Sequence, residues 1–178
     1  MTGDRENNLL AAANLLLDAR RTGDRLTKLP AELRPTNAEE IDAIQDALAQ
    51  AYGEIGGWKI GAANLQATPS FAPMPAAWIA PSGSLLSGNR WRYRGLEAEI
   101  AFLVGEDLPP RATPYSREEV LAAMGSCHPA IEVLETAFAD PVDGANPSVL
   151  ADLQRNGGFI YGAGTSVSSH RLVGSQSY

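Results

Sequence analysis

The sequence predicts an α+β fold, with two amphipathic helices first and then scattered strands around a single helix. Three observations carry this. Apolar residues recur at helical spacing twice before Gly56. Beyond it, short apolar runs are bounded by glycine and proline, the pattern of strands and turns. Helices and strands also do not alternate as a doubly wound βαβ series requires. The expected organisation is a helical N-terminal unit over residues 1–55 and a β-rich domain over residues 56–178.

The elements follow in order. Residues 7–21, NNLLAAANLLLDARR, place Leu9, Leu10, Ala13, Leu16 and Leu17 at helical spacing. Arg20 and Arg21 fall near the C-terminal end, where the helix dipole favours cations. LPAELRP breaks the pattern, and a second helix starts at TNAEE, where Thr36 and Glu39 have capping-box spacing. Ile41, Ile44, Leu48 and Tyr52 line its face, and Gly53 ends it. GGWKIGAA, residues 56–63, reads as a short strand between glycines. Residues 64–90, rich in Pro, Ala and Ser, are expected to be mostly irregular. Strand signals return at 91–104, 129–134 and 158–162. Between the first two, SREEVLAAMG predicts a third helix, capped by Ser116 with Glu119 and stopped at Gly125.

Composition narrows the function. A net charge of −7 and a pI near 4.8 leave no basic field to hold nucleic-acid or membrane phosphates. Cys127 is the only cysteine, so no internal disulfide can form. The start, MTGDRENNLL, carries acids and amides where a signal peptide would be basic and then apolar. No apolar run has bilayer-spanning length. A soluble cytoplasmic chain is the expectation.

The segment RGLEAEIAFLVG holds the feature that needs explaining. Glu97 and Glu99 flank Ala98 at the mouth of an apolar run. Residues i and i+2 of a strand share a face, so the two carboxylates stand roughly 7 Å apart along the backbone. Glu132 sits between Ile131 and Val133 in a second apolar run. Two readings stand on pattern alone. The glutamates form a solvated face opposite apolar partners, or like charges placed so closely are reconciled by a divalent cation with hard oxygen ligands.

Read jointly, GGWKIGAA, EAEIAFLVGEDLP, HPAIEVLE and ADLQRNGGFIYGAG occur in an order and spacing that resembles a known family. It is the 2-keto-4-pentenoate hydratase / 4-oxalocrotonate decarboxylase group of the fumarylacetoacetate hydrolase superfamily. The likeness covers roughly residues 8–166, helical lead-in included. It implies a mixed β-sheet roll in which Glu97, Glu99 and Glu132 hold one Mg²⁺ or Mn²⁺, which would chelate a small 2-oxo acid. It implies metal-dependent lyase chemistry on a short 2-oxo or 2-hydroxydienoic acid, such as hydration of a 2-hydroxypenta-2,4-dienoate in aromatic-compound degradation. Decarboxylation of a related 2-oxo diacid is the close alternative. By the same resemblance Lys59 would sit near the substrate carboxylate or move a proton, and Asp152 matches the family's acid after the third ligand. Without the resemblance, Lys59 is a surface residue and Asp152 a cap before Gly157 and Gly158. His128 reads as a turn histidine, and His170 lies in a polar tail. Cys127 has no evident base partner. GFIYGAG lacks the following helix that a dinucleotide site needs.

Two departures from the family pattern stand out. Residues 63–86 contain no Asp or Glu, where relatives commonly offer an acid for proton transfer. After Val167 only RLVG weakly suggests a strand, whereas family members continue with further strands. The expectation is therefore an incomplete β core: either the chain is a fragment or frameshifted relative of the enzyme, or a partner completes the core, another copy or a related full-length chain. A non-catalytic paralogue with such a partner is the reading from outside the enzyme class.

Overall fold

The computed structural model describes residues 3–62, 64, 66–88, 90–140 and 146–167. His170 and RLVG lie outside the described residues.

Helix α1 (Gly3–Thr22) buries Leu9, Ala12, Ala13, Leu16, Ala19 and Arg20, a face one position away from Leu10, which is exposed. Helix α2 (Ala38–Tyr52) packs against it through Ile44 and Leu48. The α2 cap is Asn37 rather than Thr36: its side chain accepts from the Glu40 amide at 3.0 Å. Glu40 then turns back to accept from the amide and hydroxyl of Thr36 at 2.7 and 2.8 Å. The capping logic expected at Thr36 and Glu39 thus operates one residue later, because Asn is the stronger cap and Glu40 is claimed by Arg5. Arg5 donates to both Glu40 oxygens at 2.7 and 2.6 Å and to the carbonyls of Glu32 and Arg34.

This clasp should be acid-sensitive. Arg5, then the Thr36 amide, pull Glu40 from 4.5 down to about 2. A depressed carboxylate stabilises the fold above its unfolded pKa, and that contribution fades as pH falls through the folded value. Attachment of the start of α1 is expected to loosen between about pH 4.5 and 2. Amide exchange of residues 4–10, measured across that window, should accelerate in wild type and already be fast in Glu40→Gln; a pH-independent profile contradicts the clasp.

Strands β1 (Ile55–Gly61) and β2 (Ser70–Pro75) form an antiparallel pair. Strand β2 and β3 (Ile79–Pro81) lie in the stretch expected to be irregular. Proline does not forbid β2, since Pro73 and Pro75 are two apart and their missing amides fall on one edge. The larger sheet adds β4 (Gly95–Val104), β5 (Met124–Leu134), β6 (Asn156–Tyr161) and β7 (Thr165–Ser166). Its order is β3-β6-β5-β4, with β7 also on β5; β3 and β6 run parallel and the other pairings antiparallel. Helix α3 (Arg117–Ala123) has the full Ser116–Glu119 capping box. It ends at Ala123, before Gly125, which instead lies in β5 where its backbone closes on Gly105. Helix α4 (Pro147–Ala151) leads into β6.

One apolar core joins α1 and α2 to Trp78, Ala137, Phe138, Val149, Ala151 and Leu153. No helix among the described residues is long and apolar enough to cross a membrane. The β4–β5 end of the sheet differs from this core. Leu96 and Ile100 are each 69% exposed, Ile131 46% and Phe102 44%, all on one sheet face. Strand β4 has only β5 as a neighbour among the described residues, so its outer edge is free.

Candidate metal centre

The opposite face of β4 and β5 carries the charges. Register places Glu97 directly across from Glu132, and Glu99 across from Ala130. One oxygen from each of Glu97, Glu99 and Glu132 lies within 4.8 Å of the others. Glu132 is 1% exposed and Glu97 half-buried. The solvated-face reading expected glutamate outward and apolar residues inward; instead Glu132 is buried and Ile100 exposed, with the burial of Glu97 between the two.

Lys59 reaches the cluster from β1. Its Nζ lies 2.7 Å from Glu132 Oε2 and 3.4 Å from both Glu97 Oε2 and the Gln154 carbonyl. It is a largely buried, paired lysine, not a surface one. Arg155 stands 3.8 Å from Glu97 Oε1, and Asn156 Nδ2 donates to Glu132 Oε1 at 2.9 Å. Burial pushes the Glu132 carboxyl above its usual value, Lys59 and Asn156 oppose that, and Glu97 adds to it. The Asn156 Oδ1 atom is buried without a hydrogen-bond partner among the described residues. Three carboxylates facing one lysine and a more distant arginine leave negative charge uncompensated, and hard oxygen donors at this spacing suit a small divalent cation.

The segment after Asp152 makes this possible. Leu153, Gln154 and Arg155 take φ values of 50, 50 and 66°, left-handed backbone that non-glycine residues adopt at a cost. The turn aims the Gln154 carbonyl, Arg155 and Asn156 at the carboxylates. Gly157 then passes so close to Glu135 that a Cβ would stand 2.5 Å from the Glu135 Cβ. Sequence reading missed Arg155 and Asn156; polar residues crowded before Gly157 and Gly158, ahead of a strand that pairs with Glu132, were the available signal.

Asp152 itself is not brought to the cluster. It is fully buried, with Oδ1 2.5 Å from Arg20 Nε and Oδ2 accepting from Thr136 Oγ1 and the Ala137 amide at 2.7 and 2.8 Å. Both oxygens are engaged, one by the Arg20 guanidinium and the other by Thr136 and the Ala137 amide. Arg20 also donates to the carbonyls of Asn156, Glu135 and Asp152. Burial works against the Arg20 charge, but Asp152, Tyr52 and Glu135 together hold the guanidinium above its ordinary value. His128 is a strand residue rather than a turn one, opposite Ala101, with Ser126 Oγ at 2.8 Å and the Gly162 carbonyl at 2.9 Å.

No family model and no curated protein sequence matches the chain. Solved structures do match it, among them two complexes of one enzyme. One is 4-oxalocrotonate decarboxylase from Pseudomonas putida G7 complexed with calcium and acetate, with a TM-score of 0.74 and 22% identity. The match covers 90% of this chain and 64% of that one. The other is the same decarboxylase complexed with magnesium and adipate, with a TM-score of 0.74, 21% identity and the same coverages. At such identity the likeness is one of fold. The chain therefore has the α+β fold of this decarboxylase and spans 64% of its length.

Proposed function

We propose that Glu97, Glu99 and Glu132 bind one Mg²⁺ or Mn²⁺ and that the chain is a metal-dependent lyase acting on a short 2-oxo acid. The observation that carries this is the convergence of three carboxylates, one fully buried, within 4.8 Å. The bound cation would supply Lewis-acid polarisation of the 2-oxo oxygen. The chain's own residues supply the rest. Lys59 is the nearest side-chain cation to the cluster, placed to meet the substrate carboxylate or return a proton to carbon. Asn156 fixes Glu132, and Arg155 steadies Glu97. Asp152 serves as a positioning residue, since its carboxylate is spent on Arg20 and Thr136.

Decarboxylation of a 2-oxo diacid is better supported than hydration of a 2-hydroxypenta-2,4-dienoate. The two similar structures described above are of a decarboxylase, and residues 63–86 offer no acid to add and remove water's protons. The test is calorimetric titration of Mn²⁺, followed by carbon dioxide release from 2-oxohex-3-enedioate and loss of absorbance of 2-hydroxypenta-2,4-dienoate. One-site binding that Glu99→Gln weakens severely, with carbon dioxide release, is expected. Absence of binding by folded protein overturns the proposal.

A second reading is favoured by the exposed Leu96, Ile100, Phe102 and Ile131 and the free β4 edge. Apolar sheet faces of this kind mark interaction surfaces, and free edges invite strand pairing. In this reading a non-catalytic chain associates with a longer relative. The enzyme reading calls for the same face to be covered by a second copy, β4 against β4. Light scattering should then give a dimer or larger oligomer, and Ile100→Lys should shift it to monomer. A wild-type monomer sinks the self-association.

A further inference from the structure

A second concave site lies away from the glutamates and shares no residue with them. It is a half-open cleft of about 500 Å³ where the ends of α1 and α2 meet the turn before β4. Arg20, Arg21, Tyr52, Trp78, Arg90 and Trp91 contribute to its wall. Its size falls within the range of small-molecule sites, about 300–1,000 Å³.

Charge in the cleft is unevenly settled. Arg20 is spent on Asp152 and three carbonyls. Glu135 is matched by Arg25 and by the amides of Arg92, Tyr93 and Thr136. Arg21 meets Asp18 only at the surface, at 2.9 Å. Arg90 has no carboxylate partner among the described residues and donates once, to the Gly157 carbonyl at 2.9 Å. Its guanidinium is braced by two indoles, 4.1 Å from the Trp91 ring centre and 5.1 Å from that of Trp78. Burial, and the like charge on Arg20, lower the Arg90 pKa while Tyr52 opposes them. Tyr52 meets the Trp78 ring edge-on at 4.5 Å, and its hydroxyl has no hydrogen-bond partner among the described residues.

We propose that this cleft binds a small monocarboxylate with a flat unsaturated or aromatic body. The rigid guanidinium fork of Arg90 matches a carboxylate in two parallel hydrogen bonds. One uncompensated arginine with a free phenol suits a single negative charge rather than a phosphate dianion. The Trp78, Trp91 and Tyr52 walls select a flat body over a puckered one. Stacking on the indoles holds the fork in place before the ligand arrives.

Two of the three tryptophans, Trp78 and Trp91, line the cleft, so binding can be read by fluorescence. Benzoate is titrated into the full chain carrying Trp58→Phe, with chelator present so that no cation occupies the glutamates. A saturable emission change is expected. Arg90→Gln should raise the dissociation constant at least about tenfold, since it removes the charge-assisted fork. Glu132→Gln should leave benzoate binding unchanged, which separates this site from the metal centre. Cyclohexanecarboxylate should bind several-fold more weakly, and inorganic phosphate should compete poorly. No saturable change in folded protein overturns the proposal, as does wild-type affinity in Arg90→Gln. Equal affinity for cyclohexanecarboxylate, or equal competition by phosphate, overturns the ligand class. Should Arg90→Gln fail to fold by circular dichroism, exposed Arg21→Ala decides, with several-fold weakening expected and unchanged affinity contradicting the site.

Discussion

Glu132→Gln is expected to abolish tight Mn²⁺ binding while the chain stays folded. Glutamine keeps the volume of a residue that is 1% exposed, so no cavity opens in the sheet. It removes the anionic oxygen that Lys59 approaches to 2.7 Å, but Lys59 keeps Glu97 Oε2 and the Gln154 carbonyl, each at 3.4 Å. A cation held as proposed would lose one of its three charged donors, the one buried most deeply. Outer-shell changes typically cost about 10–100-fold in metal affinity. Asn156→Ala, which frees Glu132 without discharging it, should fall in that range, and Glu132→Gln beyond it. Calorimetry beside thermal melts separates binding from folding. Equal affinity in wild type and Glu132→Gln, with equal melting temperatures, would place the cation elsewhere.

The largest stability loss should follow Asp152→Ala. Removing the carboxylate leaves the Arg20 guanidinium buried without its counter-charge and strips acceptors from Thr136 and the Ala137 amide. Breaking a buried pair by deleting one partner costs about 3–5 kcal/mol. A domain holds only about 5–15 kcal/mol in total, so the variant should sit at the edge of unfolding. Asp18→Ala is the contrast: the Asp18–Arg21 pair is exposed, and such pairs contribute about 0–1 kcal/mol. Urea denaturation of both variants tests the difference. A loss for Asp152→Ala no greater than for Asp18→Ala would mean that the buried pair anchors nothing.

Much of this was legible before any coordinates. Helical spacing located α1 and α2, and the Ser116–Glu119 box located the start of α3, because local signals of this kind act within one turn. The strand runs located β4, β5 and β6 with boundaries off by a few residues. β2 and β3 were hidden because proline reads as a breaker unless its edge is known, and edges are set by tertiary pairing. Glu97, Glu99 and Glu132 were legible as a set only through the family resemblance; the alternation of β4 alone fits either face outward. What decided the face was Lys59 arriving from a different sheet, which no spacing along β4 encodes. The role of Asp152 was unreadable for the same reason, since its partner Arg20 lies 132 residues earlier.

Arg20 has a bearing on how the chain can be divided. Its Nη1 donates to the carbonyl of Asn156, whose side-chain amide donates in turn to Glu132. Two hydrogen bonds and one residue therefore connect the end of the first helix to the buried Glu132 carboxylate. A shortened chain beginning at Gly56 would retain Glu97, Glu99 and Glu132 and yet lack the guanidinium that holds their scaffold. Minimal-domain dissection, transplanting the glutamate strands into another host, or swapping the lead-in with that of a relative would each have to carry Arg20 and Asp152 together.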